Sequence, residues 1–239
     1  MRFVAVSDTH TAELDLPEGD VLLHAGDLTY RGTLPEVSGA AAWLEEQKKK
    51  KKYRHVVAIA GNHDWLFQKE PGVARQIMKE RGLLYLEDSG LTLEGSTVLE
   101  GQIAPGPGRV TIYGSPWQPW FNDWAFNLYR GKPMKEKWDM IPSGVDILMT
   151  HGPPHEILDG VGRFDEDVGP DDNALHIRRV GCEDLLEAVK RVKPKVHVFG
   201  HIHASYGRIE REGTKFINAS IMNEVYDPER KPWVFDWPV

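Results

Sequence analysis

Short apolar, largely β-branched runs recur along the chain, and a polar stretch rich in Asp, His, Asn and Gly follows each at once. Phe3–Val6, Val21–His24, Val56–Ala60, Ile147–Met149 and Val196–Phe199 are of strand length and bounded by turn formers, which predicts buried strands. Between them the apolar spacing becomes helical. Over about Pro35–Lys51, Val37, Ala41, Trp43 and Leu44 are helically spaced, and Pro35 suits a first turn. A second helix is expected near Gly72–Arg81, with Val73, Ile77 and Met78 on one side and Gly82 as its stop. A third is expected near Glu183–Val192.

The middle of the chain reads differently. Leu83–Leu86, Leu91–Leu93, Thr97–Leu99 and Val110–Tyr113 are short strand candidates separated by Gly and acidic residues, which predicts a second, antiparallel-rich sheet. Tyr206–Ile209, Lys215–Asn218 and Trp233–Phe235 read as closing strands, and Gly160–Asp172 as a long solvated acidic loop. The pattern is therefore α/β, a two-sheet β-sandwich flanked by helices. With no internal repeat and no dividing linker, a single domain over residues 1–239 is expected.

Composition narrows the function classes. No stretch approaches the roughly 18 apolar residues of a membrane span, and the opening residues lack the pattern of a secretory leader, so no membrane partner is expected. The lone cysteine, Cys182, excludes an intramolecular disulfide framework and fits a reducing, cytoplasmic compartment; the expectation is a buried structural thiol. A formal net charge of −7 argues against a stable nucleic-acid partner. The run Lys48–Lys52 is a local exception, read as the solvated end of a helix whose C-terminus favours cations.

The chemistry lies at the strand ends: Asp8-Thr9-His10, Gly26-Asp27, Gly61-Asn62-His63-Asp64, His151-Gly152 and Gly200-His201-Ile202-His203. Ligands at the ends of several strands of one sheet converge on one point. Asp8/His10 and His201/His203 are spaced by two, so on extended backbone each pair points one way. Asp27 has two oxygens with which to bridge two cations; Asn62 offers a neutral amide oxygen, and His151 a further imidazole. Mixed imidazole and carboxylate ligation suits Mn, Fe, Zn or Co better than Ca. Two such cations roughly 3.5–4 Å apart generate a hydroxide from water and polarise a phosphoryl oxygen. His63 would then stabilise charge or protonate the leaving group, with Asp64 orienting its ring or simply capping the next turn.

Taken in order, D-x-H, GD, GNHD, H and GHxH resemble the calcineurin-like metallophosphoesterases over nearly the whole chain. Tyr113–Asn122, Asp146–Pro154, Arg179–Cys182 and Lys195–Gly200 are closer still to the metallophosphoesterase-domain-containing proteins first noted in animal brain. The resemblance implies a first metal held by Asp8, His10, Asp27 and His203. It implies a second held by Asp27, Asn62, His151 and His201, with His63 facing the substrate. It also implies hydrolysis of phosphodiesters, 2′,3′-cyclic nucleotides among them, with manganese favoured over Fe, Zn, Co or Mg. Mammalian members of that group carry Gly where this chain has His201, so the presence of His201 argues for a complete second site.

Substrate contacts are expected from Arg31, Trp117, Trp120, Phe121 and His155, with Trp124, Phe126 and Arg130 nearby. The aromatic cluster is either a wall on which a nucleobase stacks or a plug fastening a loop to the core. His24 and His197 lie within strand runs and read as structural. Competing functions are a phosphomonoesterase or nuclease on the same site, or a non-catalytic metal-binding scaffold. The full set of ligands and His63 weighs against the scaffold.

Overall fold

The computed structural model describes residues 1–99, 102–163 and 176–238. In chain order the elements are β1 (Arg2–Val6), β2 (Val21–Ala25), α1 (Leu34–Lys50), β3 (His55–Ile59), α2 (Trp65–Lys69), α3 (Pro71–Glu80), β4 (Leu84–Tyr85), β5 (Ser89–Leu99), β6 (Gln102–Ser115), β7 (Gln118–Pro119) and β8 (Asn127–Leu128). They continue as α4 (Lys132–Asp139), β9 (Ile147–Thr150), β10 (Gly160–Arg163), β11 (His176–Arg179), α5 (Glu183–Val192), β12 (Val196–Phe199), β13 (Gly207–Arg211), β14 (Thr214–Asn218) and β15 (Trp233–Asp236).

Two main sheets form, in the orders β15-β1-β2-β3-β4 and β13-β14-β12-β9-β6-β5. Alternation along each strand sorts the core into three layers. Phe3, Ala5, Leu23, Val57 and Ile59 of the first sheet meet Ile112, Met149, Val198 and Ile217 of the second. The opposite faces of β1 to β3 pack under α1 and α3 through Val37, Leu44, Ala74 and Met78. Leu148, Phe199 and Phe216 pack under α4 and α5 through Met134, Trp138, Leu185 and Val189. Burying each Leu, Ile, Val or Phe in these layers contributes about 1.5–3 kcal/mol. The arrangement is the expected sandwich, helix layer on sheet on sheet on helix layer.

Several expectations need correction. The second sheet is not mainly antiparallel: β6, β9, β12 and β14 are mutually parallel, and only the β5–β6 and β13–β14 pairs at its edges run antiparallel. Leu91–Leu93 and Thr97–Leu99 are parts of one strand, β5. The closing strands divide between the sheets, β15 pairing antiparallel with β1. Gly160–Arg163 is a strand, paired antiparallel with β11, while the acidic part of the expected loop lies outside the described residues.

Helix α1 starts where its chemistry dictates: Thr33 and Glu36 form a capping box, and a proline follows in the first turn. Its lysine-rich end is solvated and paired, Lys49 to Glu45 and Lys50 to Glu46 one turn back, and Lys51 to Asp15. Helix α3 ends before Gly82, whose φ of +65° completes the stop. Cys182 is buried at the start of α5, where it accepts a hydrogen bond from Trp138 Nε1 and burial pushes its thiol pKa up.

Candidate metal centre

The parallel strands β1, β2, β3, β9 and β12 all deliver their C-terminal ends to one edge of the sandwich. There the two sheets are tied together: Ser7 N donates to Ala219 O (2.9 Å) and Ile221 N to Ser7 O (2.9 Å). Three of the five motifs leave the sheets here through left-handed backbone, at Asp8 and His10, Asp27, and His201, with φ between 44° and 66°. Such conformations are costly for non-glycine residues and persist only where surrounding contacts enforce them. Two glycines permit the close approach. Gly26 has φ +100°, and a Cβ there would come within 2.6 Å of His151 Nδ1. A Cβ at Gly200 would collide with the Asp8 carboxylate.

Three overlapping groups of ligand atoms result: Asp8, His10 and His203; Asp8, Asp27 and His151; and His10, Asp27 and His63; within each group these atoms lie within 4.8 Å of one another. Asp27 Oδ2 lies 3.4 Å from His151 Nε2, 3.7 Å from His10 Nε2 and 3.9 Å from His63 Nε2, so it stands among all three imidazoles. Asn62 Oδ1 meets His151 Nε2 at 2.8 Å and His201 Nδ1 at 2.9 Å. His203 Nε2 lies 3.4 Å from Asp8 Oδ1. All seven expected ligands therefore face one centre.

The surrounding hydrogen bonds fit cations. His10, His151 and His203 each direct Nδ1 to a backbone carbonyl, of Thr29 (2.9 Å), Ala25 (3.0 Å) and Asn223 (3.0 Å). A proton is thereby held on Nδ1, and the lone pair of Nε2 is aimed at the centre. His10 Nε2 is buried and has no hydrogen-bond partner, an orphan acceptor suited to a metal. Asp8 is fixed by Ser220 Oγ (2.8 Å) and the His201 amide (3.0 and 3.1 Å).

Electrostatics point the same way. Burial alone would raise the pKa of Asp8 and of Asp27, but the surrounding histidines outweigh it and hold both well below the usual carboxylate range. Burial and neighbouring His151 push His201 down to about 3, so it is a neutral donor. For His151, burial acts downward but Asp27 prevails and lifts it to about 9.

His63 is set apart. Its Nδ1 donates to Tyr30 O at 2.7 Å, and its ring lies flat on the Trp124 indole with centroids 4.1 Å apart. The expected partnership with Asp64 is a correction. Asp64 is fully buried and accepts from the amides of Gly61 (2.8 Å), Thr29 (3.0 Å) and Leu28 (3.1 Å) and from the Thr29 hydroxyl (2.7 Å). It ties the Asp27 loop to the Asn62 loop and does not touch the His63 imidazole. Burial and nearby Asp27 raise its pKa to about 6.

A cleft of about 960 Å³ opens on the centre, lined by Asp27, Asn62, His63 and His201 and by Trp120, Phe121 and Trp124. The aromatic segment thus divides. Trp120, Phe121 and Trp124 are wall, whereas Phe126 is buried and Trp117 packs edge-on against it with its Nε1 on Asp88. Trp117, Arg31 and His155 are corrections, since none of them lines the cleft. Arg31 belongs to the loop that caps α1, its amide donating to Glu36, and His155 faces Asp159 and Glu183. Arg130 reaches the cleft rim, but its guanidinium is spent on Val180 O, Gly181 O and Glu183.

Tyr226 escaped sequence reasoning. It lines the cleft, and its ring sits edge-on to His10 (5.0 Å) and His203 (5.1 Å), with Tyr30 stacked on His10 (5.1 Å) and beside Tyr226 (5.8 Å). The only signal was Asn223 four residues before Asp227: the Asn223 side chain accepts from the amides of Val225 and Asp227, a side-chain-built turn.

Comparison with known proteins agrees with this geometry. The family model for calcineurin-like phosphoesterases matches residues 1–205. The chain is 40% identical to human metallophosphoesterase domain-containing protein 1 over 99% of its own length and 71% of that protein's. It is 39% identical to the UPF0046 protein T07D4.2 of Caenorhabditis elegans over 100% of its own length and 60% of that protein's.

Proposed function

Because the chain belongs to the calcineurin-like phosphoesterase family, a family of phosphoester hydrolases with metal-binding sites, we propose that it is a phosphodiesterase for small diesters, 2′,3′-cyclic nucleotides among them. In this reading two divalent metal ions are its cofactors, with manganese preferred. Asp8, His10, Asp27 and His203 hold one, and Asp27, Asn62, His151 and His201 the other. The protein works in the cytoplasm on small nucleotide or diester substrates, without a stable nucleic-acid partner. Its lone cysteine and the absence of any helix long and apolar enough to cross a membrane among the described residues accord with that setting. The observation that carries the proposal is the fixing of three imidazoles by backbone carbonyls around the orphan His10 Nε2.

Divalent cations, when bound, supply Lewis acidity toward the phosphoryl oxygens and an activated water. The residues do the rest. Asp27, with Oδ2 among the imidazoles and Oδ1 held by the His63 amide, sets their spacing. The carbonyls of Thr29, Ala25 and Asn223 hold a proton on each Nδ1 and so direct each Nε2. Asn62 adds an oxygen without adding charge, which limits the negative charge facing an anionic substrate. His63 works at the leaving oxygen. Tyr30 O fixes one proton on its Nδ1, so Nε2 is the atom that carries and gives up the transferable proton.

Metal content by elemental analysis, together with manganese-stimulated hydrolysis of 2′,3′-cyclic AMP and bis-p-nitrophenyl phosphate, tests the reading. The expected result is two equivalents of metal and turnover of both diesters, both abolished in the double variant His10→Ala/Asp27→Ala. Full activity in that variant, or a strong preference for phosphomonoesters, overturns it.

A further inference from the structure

The wall of the cleft has a second side. The turn Pro119–Asn127 is a thin, rigid partition: Trp120 N donates to Leu128 O (2.8 Å), and Asn127 Nδ2 reaches back to Asn122 O (2.9 Å) and Phe121 O (3.2 Å). It is anchored at the candidate metal centre itself, through Ala125 N to Asn62 O at 3.0 Å. Trp120 and Trp124 line the cleft on one side. On the other they line a separate groove of about 520 Å³, together with Trp65, Lys69 and Tyr129. Its rings are presented to solvent, Trp120 46% and Tyr129 70% exposed, with Tyr129 edge-on to Trp120 at 5.3 Å. Lys69 Nζ lies over the Trp65 ring at 4.1 Å and gives the groove a cation.

We propose that this groove is a subsite for the leaving arm of a linear phosphodiester whose leaving alcohol carries an aromatic or heterocyclic ring, as in a dinucleotide. The inference rests on the phosphodiesterase reading above. A diester at the centre has two arms, and His63 marks the side on which the bond to the leaving oxygen breaks. The face of Trp124 carries His63, the same indole borders the groove, and the exposed Trp120 lines both spaces, so an arm leaving past His63 reaches the groove over the Trp120 rim. Stacking on exposed rings tolerates any planar group; Lys69 and Asp123 put one charge of each sign in the groove, so the rings rather than charge select the arm. The products balance as in any hydrolysis: water adds to phosphorus, the P–O bond to the ring-bearing arm breaks, and that arm departs as an alcohol protonated from His63. A 2′,3′-cyclic nucleotide has no separate leaving arm, because its leaving oxygen stays on the sugar already in the cleft. It therefore makes no use of the groove.

Tyr129→Ala tests this, since Tyr129 is exposed and outside the metal centre. Loss of one stacking ring is expected to raise KM for bis-p-nitrophenyl phosphate about tenfold while leaving KM for 2′,3′-cyclic AMP unchanged, and Tyr129→Phe should match wild type for both. An equal effect on both substrates, or none on either, overturns the proposal. Binding of bis-p-nitrophenyl phosphate to the metal-free protein, followed by tryptophan fluorescence, separates the two readings. If wild type turns over neither diester, the phosphodiesterase reading fails. The groove stands or falls on whether Tyr129→Ala weakens that binding by a similar factor.

Discussion

The His63 imidazole lies on the Trp124 indole at a centroid distance of 4.1 Å and an interplanar angle of 29°, with its Nδ1 tethered to Tyr30 O. Two unrelated parts of the chain thus fix one ring: the loop after β2 holds its edge, and the partition before β8 holds its face. Trp124 consequently acts through His63 as a positioning residue. Trp124→Leu is expected to lower kcat by roughly ten- to hundredfold, the lower range for an impaired general acid, while leaving the metal requirement unchanged. Trp124→Phe should recover most of the loss. A loss confined to KM would mean that Trp124 serves substrate alone.

His201 carries the second prediction. Its Nδ1 and His151 Nε2 converge on the same Asn62 oxygen, and burial keeps His201 neutral. His201→Gly therefore removes one donor without disturbing Asp8, His10 or His203. Metal titration should show one equivalent bound as before and one weakened by at least the roughly 10- to 100-fold that loss of a supporting residue costs. Identical weakening of both equivalents would contradict the division of ligands proposed here.

Much of this site was legible in sequence because strand-end ligands obey simple rules. A β-branched run fixes a strand, period two fixes which side chains point together, and Asp, His and Asn have few reasons to cluster there otherwise. The five motifs therefore hold the Asp, Asn and His side chains that converge there. What escaped depends on long-range packing. Asp64 sits beside His63 in sequence, yet its carboxylate is drawn to four donors around Thr29 and Gly61 that only the folded chain brings near. Trp117 and Trp120 are three residues apart and equally aromatic; one meets Asp88 and the core, the other solvent. Tyr226 reaches the site from the opposite end of the chain, on a loop with no apolar periodicity. The parallel order of the second sheet was hidden because its crossovers are irregular, and β10 because a Gly-rich strand lacks a propensity signal.

Two histidines outside the centre set the acid limit of the fold. His24 in β2 and His197 in β12 are fully buried, and burial drives each to about 3. The Thr150 hydroxyl donates to Gly152 O (2.7 Å) and so accepts from His197 Nε2 (2.8 Å), leaving Nδ1 bare. The folded-state values lie below the unfolded value of about 6.5, so only the unfolded chain binds these protons in between. Stability is thus fully present above pH 6.5 and lost as pH falls toward 3, at about 1.4 kcal/mol per pH unit for each histidine. Urea midpoints of metal-free protein between pH 7 and 5 should show this decline. In His197→Gln the slope should fall by one group's share, and an unchanged slope would remove His197 from the account.

The loop that carries Tyr226 hangs on His203 from both ends. His203 Nδ1 donates to Asn223 O at 3.0 Å, and the Arg230 guanidinium donates to His203 O and to Met222 O (3.0 Å). Arg230 is held in turn by Glu224 at 3.1 Å. Tyr226 at the loop's crest takes a left-handed φ of 64°, a conformation these tethers must enforce. Cutting one tether should therefore loosen the ring over His10 and the aim of His203 together. Arg230→Gln is expected to reduce affinity for the metal at Asp8, His10, Asp27 and His203 by about tenfold, the lower range for a lost outer partner, with the His201-containing set little affected. Amide hydrogen exchange over residues 223–227 should accelerate in the same variant even without metal. Faster exchange with unchanged metal affinity would show that the tether orders Tyr226 but does not aim His203; no change in either would mean that the loop holds its shape through Asn223 alone.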